Sequence, residues 1–236
     1  QAVYGDGRIT PDMRFLEKMA VLAEVEKQVP ELSERMKFDE AAVRERFGVH
    51  TTMNCPDVET ADAMARRIIE IRDGGDSSGG LVEVVATGVP GGLGEPVFEK
   101  LDAELGRMLG IGAVKAVEVG AGVAVKDMTG SACNDQMSAR DGKVQFASNH
   151  AGGITGGLTT GQPVVARIAV KPTPTIARPQ QTIDKVTRQN ATLAAVTRRD
   201  PTIVARVWPV AEAFTAMILV DQLAMHLGYR ALAGGE

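Results

Sequence analysis

Apolar residues follow two periods along this chain. Val164, Ala166, Ile168 and Val170 alternate with Val165, Arg167, Ala169 and then Lys171, a period of two. That predicts a strand with one apolar face and both cations on the other. Leu81 to Thr87, rich in β-branched residues, and Ala113 to Val119 read as further strands. Lys143 to Ala147 is a short one, and Ala191 to Thr197 a last one. Helical spacing appears elsewhere. Val58, Ala61, Ala65, Ile68 and Ile69 mark the buried side of a helix from Asp57 to Arg72, ended by Gly74-Gly75. Pro96 opens a helix through Val97, Leu101, Leu105, Met108 and Leu109, and Pro209 opens another through Val210, Ala213, Phe214, Met217, Val220 and Leu223. Near the start, Met13, Leu16, Met19, Ala20 and Ala23 follow Thr10-Pro11, and a second short helix runs from Asp39 to Phe47, closed by Gly48. Gly130 to Gly142 reads as a polar loop.

This order of elements, with hairpin-length connections late in the chain, predicts an α+β fold in which helices cover mostly antiparallel sheet. Residues 1–50 read as a helical leader whose default role is packing or oligomer contact; residues 51–236 read as one domain.

Composition narrows the function classes. The 44% apolar and 24% charged fractions are those of an ordinary soluble globular protein. No stretch has the length of a transmembrane span, and no signal peptide opens the chain. Cys55 and Cys133 lack metal-ligand spacing, and His50, His150 and His226 are scattered, so no metal site is expected and a reduced, cytoplasmic setting is. The net charge of −4 conceals an asymmetry: from Val165 to Arg206 eight basic residues face only Asp184 and Asp200, leaving +6 there and −10 elsewhere. A local positive field in an acidic protein suits a small anion. The same stretch holds no Phe, Trp or Tyr to stack on bases, which argues against nucleic acid.

The positive stretch follows a glycine run. Five glycines fall between Gly152 and Gly161, allowing left-handed backbone and close approach of a ligand. Lys171-Pro172-Thr173-Pro174-Thr175 then ends the predicted strand. Two prolines fix its backbone while an ammonium and two hydroxyls converge on phosphate oxygens. Arg198-Arg199-Asp200-Pro201 packs two guanidinium groups around one carboxylate; taken alone it reads sooner as a surface salt bridge before a turn. Gly112-Ala113, alone, reads as a helix-to-strand turn. Gly75-Asp76-Ser77-Ser78-Gly79 matches the Gly-x-Ser-x-Gly pattern of a nucleophile elbow, but a helix precedes it and a strand follows, the reverse of what an elbow needs. It reads as a turn. No Gly-x-Gly-x-x-Gly or Walker-type loop occurs.

Ser148-Asn149-His150-Ala151-Gly152-Gly153 through Gly156-Gly157, with Lys171-Pro172 and Thr175, resembles the flavin-binding stretch of the chorismate synthase family. So do Arg198-Arg199-Asp200-Pro201 with Arg206 and Glu212, and the runs Cys55-Pro56-Asp57, Gly75-Asp76-Ser77, Glu83 to Pro90 and Gly92 to Pro96. The resemblance covers roughly residues 51 to 223. It implies a layered α/β sandwich with an internal pseudo-repeat, and reduced FMN as the cofactor. The substrate it implies is 5-enolpyruvylshikimate 3-phosphate, and the assembly a homotetramer, with no nucleic-acid or membrane partner. It assigns Gly112, Ala113, Gly156, Lys171, Pro172, Thr173, Pro174, Thr175 and Arg198 to the flavin, and Asp200 to catalysis. The family usually has His or Ser where Arg199 stands. His150 reads as a polar lining residue, and His226 as a favourable charge near a helix terminus.

Three motifs of the family are absent from this sequence: Phe-Gly-Glu-Ser-His-Gly, Arg-Pro-Gly-His and Gly-Arg-Ser-Ser-Ala-Arg. The first two carry the family's catalytic histidines. The readings left are a chorismate synthase or a fragment of one, and, as the alternative, a truncated homologue that binds flavin or phosphate without catalysis.

Overall fold

Helix α1, Val58–Asp73, is set by its ends. The Asp57 carboxylate accepts the Thr60 N–H at 2.8 Å, and Gly74 closes the other end with its N–H on Glu70 O at 3.0 Å. Glu59 in the first turn and Arg72 in the last complement the helix dipole. This is the helix the sequence predicts. In this computed structural model the described residues are 54–55, 57–196 and 200–232; the helices predicted within residues 1–50 lie outside them.

The described residues divide into two compact units. One comprises Leu81–Val170 and residues 206–232; the other comprises residues 54–80 and 171–205.

The first unit is built on a three-stranded sheet, β1 (Gly80–Ala86), β2 (Val114–Val119) and β7 (Val164–Val170), in the order β1-β7-β2. β2 and β7 are antiparallel, with Val117 opposite Ile168 and Glu118 opposite Arg167. The strand at 164–170 forms as predicted, but its two faces do not divide into apolar and cationic. Val164, Val165, Ala166 and Ile168 are each 1% exposed and Arg167 is 7% exposed. A middle strand covered on both sides buries both parities of side chain.

Two predicted helix starts move. Pro96 does not open a helix: Glu95 and Glu99 exchange both backbone hydrogen bonds, at 2.9 and 2.8 Å. That closed loop leaves Val97 and Phe98 exposed, and α2 begins only at Leu101 (Leu101–Gly106), running into a 3-10 turn at Arg107–Gly110. Leu101, Leu105 and Met108 are fully buried, as their spacing predicts. Conversely, the last helix does not wait for Pro209. The Thr202 hydroxyl accepts the Val204 N–H at 3.3 Å, and the helix runs Val204–Leu232 with Pro209 inside it. We number it α4, after α3 (Gly130–Cys133).

Within the first unit, α4 buries Val207, Ala211, Thr215, Ile218 and Gln222 on one side, the Thr215 hydroxyl donating to Ala211 O at 2.9 Å. Val210, Met217, Val220 and Leu227 on the other side are exposed. Val204–Gly228 is long and apolar enough to cross a bilayer by length and composition, which corrects the sequence expectation that no stretch reaches that length.

Three hairpins complete the described residues. The region 130–142, expected as loop, contains α3 and half of a hairpin, β3 (Met137–Arg140) with β4 (Lys143–Phe146). Asp141 and Gly142 turn it with φ of 51° and 72°, the left-handed pair a two-residue hairpin requires. β5 (Ile154–Thr155) and β6 (Leu158–Thr159) pair across Gly156-Gly157, and β8 (Gln180–Ile183) pairs with β9 (Asn190–Leu193). With helices beside largely antiparallel pairing, the fold is α+β.

Candidate functional site

In the first unit, the glycine run is held by side chains that precede and follow it. Asp135 accepts the Ser148 hydroxyl at 2.6 Å and the backbone N–H groups of His150 and Ala151 at 2.7 and 2.9 Å. His150 Nδ1 lies 3.4 Å from the same carboxylate and has no hydrogen-bond partner among the described residues. Burial pushes the Asp135 carboxyl up. The Ser148 hydroxyl, the two N–H groups and the charge of His150 outweigh it and hold the group below the usual carboxylate range. Buried Asn149 donates to Pro163 O at 2.8 Å and accepts the Gly153 N–H at 2.7 Å. Gln162 Nε2 donates to Ser148 O at 2.7 Å.

Two glycines let the run pass over the end of β2. A Cβ on Gly120 would stand 2.4 Å from Gly152 N, and a Cβ on Gly152 would stand 2.4 Å from Gly120 N. Both adopt left-handed backbone, φ 58° and 65°.

Gly156 behaves differently. It sits at the exposed tip of the β5–β6 hairpin at φ 64°, with nothing within 4 Å of where a Cβ would be. Gly112 and Ala113 are the central pair of a turn closed by Val114 N–H on Ile111 O at 3.1 Å. Ala113 takes φ 70°, and Gly112 faces open space. His226 is half-buried in the last two turns of α4.

The second unit holds the Lys171–Thr175 segment. Lys171, Pro172, Pro174 and Thr175 are exposed. Thr173 is half-buried, and its hydroxyl donates to Asp200 O at 3.0 Å. The structure thus brings Thr173 and Asp200 together within one unit. The hydroxyl hydrogen of Thr173 is committed to that carbonyl, so the convergence of two hydroxyls expected from the sequence reduces to Thr175 and the ammonium. Arg198 and Arg199 lie outside the described residues.

The positive stretch is less positive than the sequence count. Arg167 Nε donates to Glu83 Oε2 at 2.6 Å, and Arg178 Nη1 lies 3.2 Å from Asp76 Oδ2. Both carboxylates come from outside residues 165–206. Arg167 is therefore not available to an anion, against the sequence expectation.

The family model for chorismate synthase matches residues 13–224 of this chain. The chain belongs to the chorismate synthase family. The match reaches back to residue 13, well before the point where the motifs begin. The chain is similar to the chorismate synthase of Methanocella arvoryzae, 51% identical over 172 residues covering 72% of this chain and 46% of that one. To that of Methanosarcina mazei it is 49% identical over 174 residues, covering 73% and 48%. A crystal structure of chorismate synthase superposes with a TM-score of 0.61 at 29% identity, covering 83% of this chain and 54% of the other. The chain thus spans about half the length of the curated relatives it matches.

Sequence reasoning missed Asp135, Asn149 and Ser77. Asp135 sits in a polar run without periodicity, 13 residues before Ser148, and nothing local marks its target. Asn149 lies inside the glycine motif but carries no charge to draw notice. Ser77 reads as one residue of a turn; its hydroxyl donates to Thr173 O at 2.6 Å, 96 residues away.

Proposed function

We propose that this chain carries the flavin-phosphate portion of a chorismate synthase active site. The whole protein would then catalyse the 1,4-elimination of phosphate from 5-enolpyruvylshikimate 3-phosphate, giving chorismate in the shikimate pathway. The observation that carries this is the family match across residues 13–224, with Lys171–Thr175 inside it.

The residues present fit a phosphorylated flavin. Gly156 offers exposed backbone with open space before its Cα, while its neighbour Gly157 is packed against Lys100. Lys171 and Thr175 are exposed on a segment whose backbone two prolines stiffen. When bound, reduced FMN supplies the reversible electron transfer that elimination without net oxidation requires. Lys171 would hold the flavin phosphate by a charge-assisted bond, with Thr175 and Arg198 as further donors. Pro172 and Pro174 set the direction of the segment, and Thr173 joins it to Asp200. Gly112, Ala113 and Gly156, in the first unit, are the further flavin contacts that the family resemblance assigns. Asp200 would serve as the acid-base residue of the site.

In this reading residues 51–236 are the C-terminal part of the family's single domain, and residues 1–50 a leader with no assigned role. The protein is a cytoplasmic homotetramer, and the exposed apolar side of α4 supports burial in such an assembly. The test is an anaerobic assay of the full-length protein with pre-reduced FMN, following phosphate release and chorismate absorbance. Flavin binding without turnover would favour the second reading, a flavin-binding homologue without catalysis. Absence of flavin binding would end both.

A further inference from the structure

The Gly75–Gly79 run has no part in the chemistry above, yet the second unit is tied together through it. Ser77 Oγ donates to Thr173 O at 2.6 Å. Thr173 Oγ1 donates to Asp200 O at 3.0 Å. The Ser78 N–H donates to Pro201 O at 2.8 Å. Three segments distant in sequence thereby close a triangle of hydrogen bonds. We propose that Ser77 is a positioning residue of the flavin-phosphate site, holding the Lys171–Thr175 segment in register with Asp200.

The turn that carries Ser77 is anchored on its own account. The Asp76 carboxylate accepts the Ser77 N–H at 2.9 Å, and the Asp76 N–H donates to Ile71 O at 3.0 Å, at the end of α1. Arg178 reaches Gly74 O with Nε and Nη2, at 2.9 and 2.6 Å, and the Ala177 N–H donates to Gly75 O at 2.9 Å. The segment it holds needs such a tie. Pro172 and Pro174 have no N–H, so alternate residues of Lys171–Thr175 cannot donate to a neighbouring strand. The segment is held through acceptors instead. Thr173 O takes the Ser77 hydroxyl, and Pro174 O takes Gln180 Nε2 at 3.0 Å. Ser77 acts through Thr173, to whose carbonyl its hydroxyl is committed, so its role is positioning and not catalysis.

This inference rests on the flavin-phosphate reading, and the experiment separates the two. FMN and riboflavin differ only in the phosphate, so their affinities for the full-length protein are measured by flavin fluorescence. The variants are Ser77→Ala, Ser77→Cys, Ser77→Thr and Lys171→Ala, each checked for folding by circular dichroism. Ser77→Ala should lower FMN affinity about three- to tenfold, the net worth of one hydrogen bond, and leave riboflavin affinity unchanged. Ser77→Thr keeps the hydroxyl and should restore the preference for FMN. Ser77→Cys, with a weak donor and nearly the parent's volume, should fall between; it carries the test if the alanine variant does not fold. Equal loss of both flavins, or of neither, would overturn the role of Ser77 while a Lys171-dependent preference for FMN left the site reading standing. A parent protein without preference for FMN would overturn both.

Discussion

Arg167 Nε donates to Glu83 Oε2 at 2.6 Å, and both side chains are more than nine-tenths buried. Such a pair recovers its desolvation only while both partners are present. Arg167→Met alone should destabilise the protein by about 3–5 kcal/mol, whereas Glu83→Leu with Arg167→Met should come out neutral or more stable. Urea denaturation of the parent, the two single variants and the double variant measures this. Additive losses would show that the two residues are not coupled.

Asp135 makes stability pH-dependent with a definite sign. Its folded carboxyl titrates below the ordinary value, so its contribution is full at neutral pH and is lost as pH falls below about 4, through the lower folded value. Asp135→Asn should cost about 1–3 kcal/mol at pH 7. That gap should shrink as pH falls through the lowered folded value, where the parent's own carboxyl takes up its proton. Melts at a series of pH values give both curves, and a gap independent of pH would exclude the carboxylate as its cause.

Gly120 and Gly112 should respond oppositely to alanine. At Gly120 the added Cβ would lie 2.2 Å from His150 O, with φ already at 58°. A loss of at least ~2 kcal/mol, or failure to fold, is expected. Gly112 faces open space, and Gly112→Ala should stay within about 0.5 kcal/mol of the parent. Thermal melts compare them directly.

Lys171→Ala should weaken FMN binding roughly ten- to a hundredfold, from a charge-assisted contact of about 1.5–3 kcal/mol. Fluorescence titration reads it, and an unchanged dissociation constant would remove Lys171 from the site.

Asp200→Asn keeps shape and removes the base. Turnover of the full-length enzyme should fall about 10²–10⁴-fold with FMN affinity little changed, as for general acid-base groups. A single-turnover rate near the parent's, beside a lowered melting temperature, would leave Asp200 a structural residue.

Legibility in the sequence tracked how local each cause was. Asp57 and Gly74 cap α1 within one turn of its ends, so its limits could be read off. The strand at 164–170 was visible as alternation. Its burial on both faces was not, because the partner of Arg167 is 84 residues away. Pro96 looked like a helix start by propensity, but the Glu95–Glu99 pairing satisfied the backbone first. The glycine run announced a loop; what holds it, Asp135, stands in a stretch with no period to betray it. The charge count failed likewise, since Glu83 and Asp76 lie outside the stretch that was counted.

Gly120 and Gly152 stand back to back, each occupying the place where the other's side chain would go. No order of single replacements leads away from that arrangement, and a paired replacement makes the collision worse. A randomised library across this junction should return glycine at both positions whatever activity is selected. The glycine run can drift or be redesigned around the pair, but never through it.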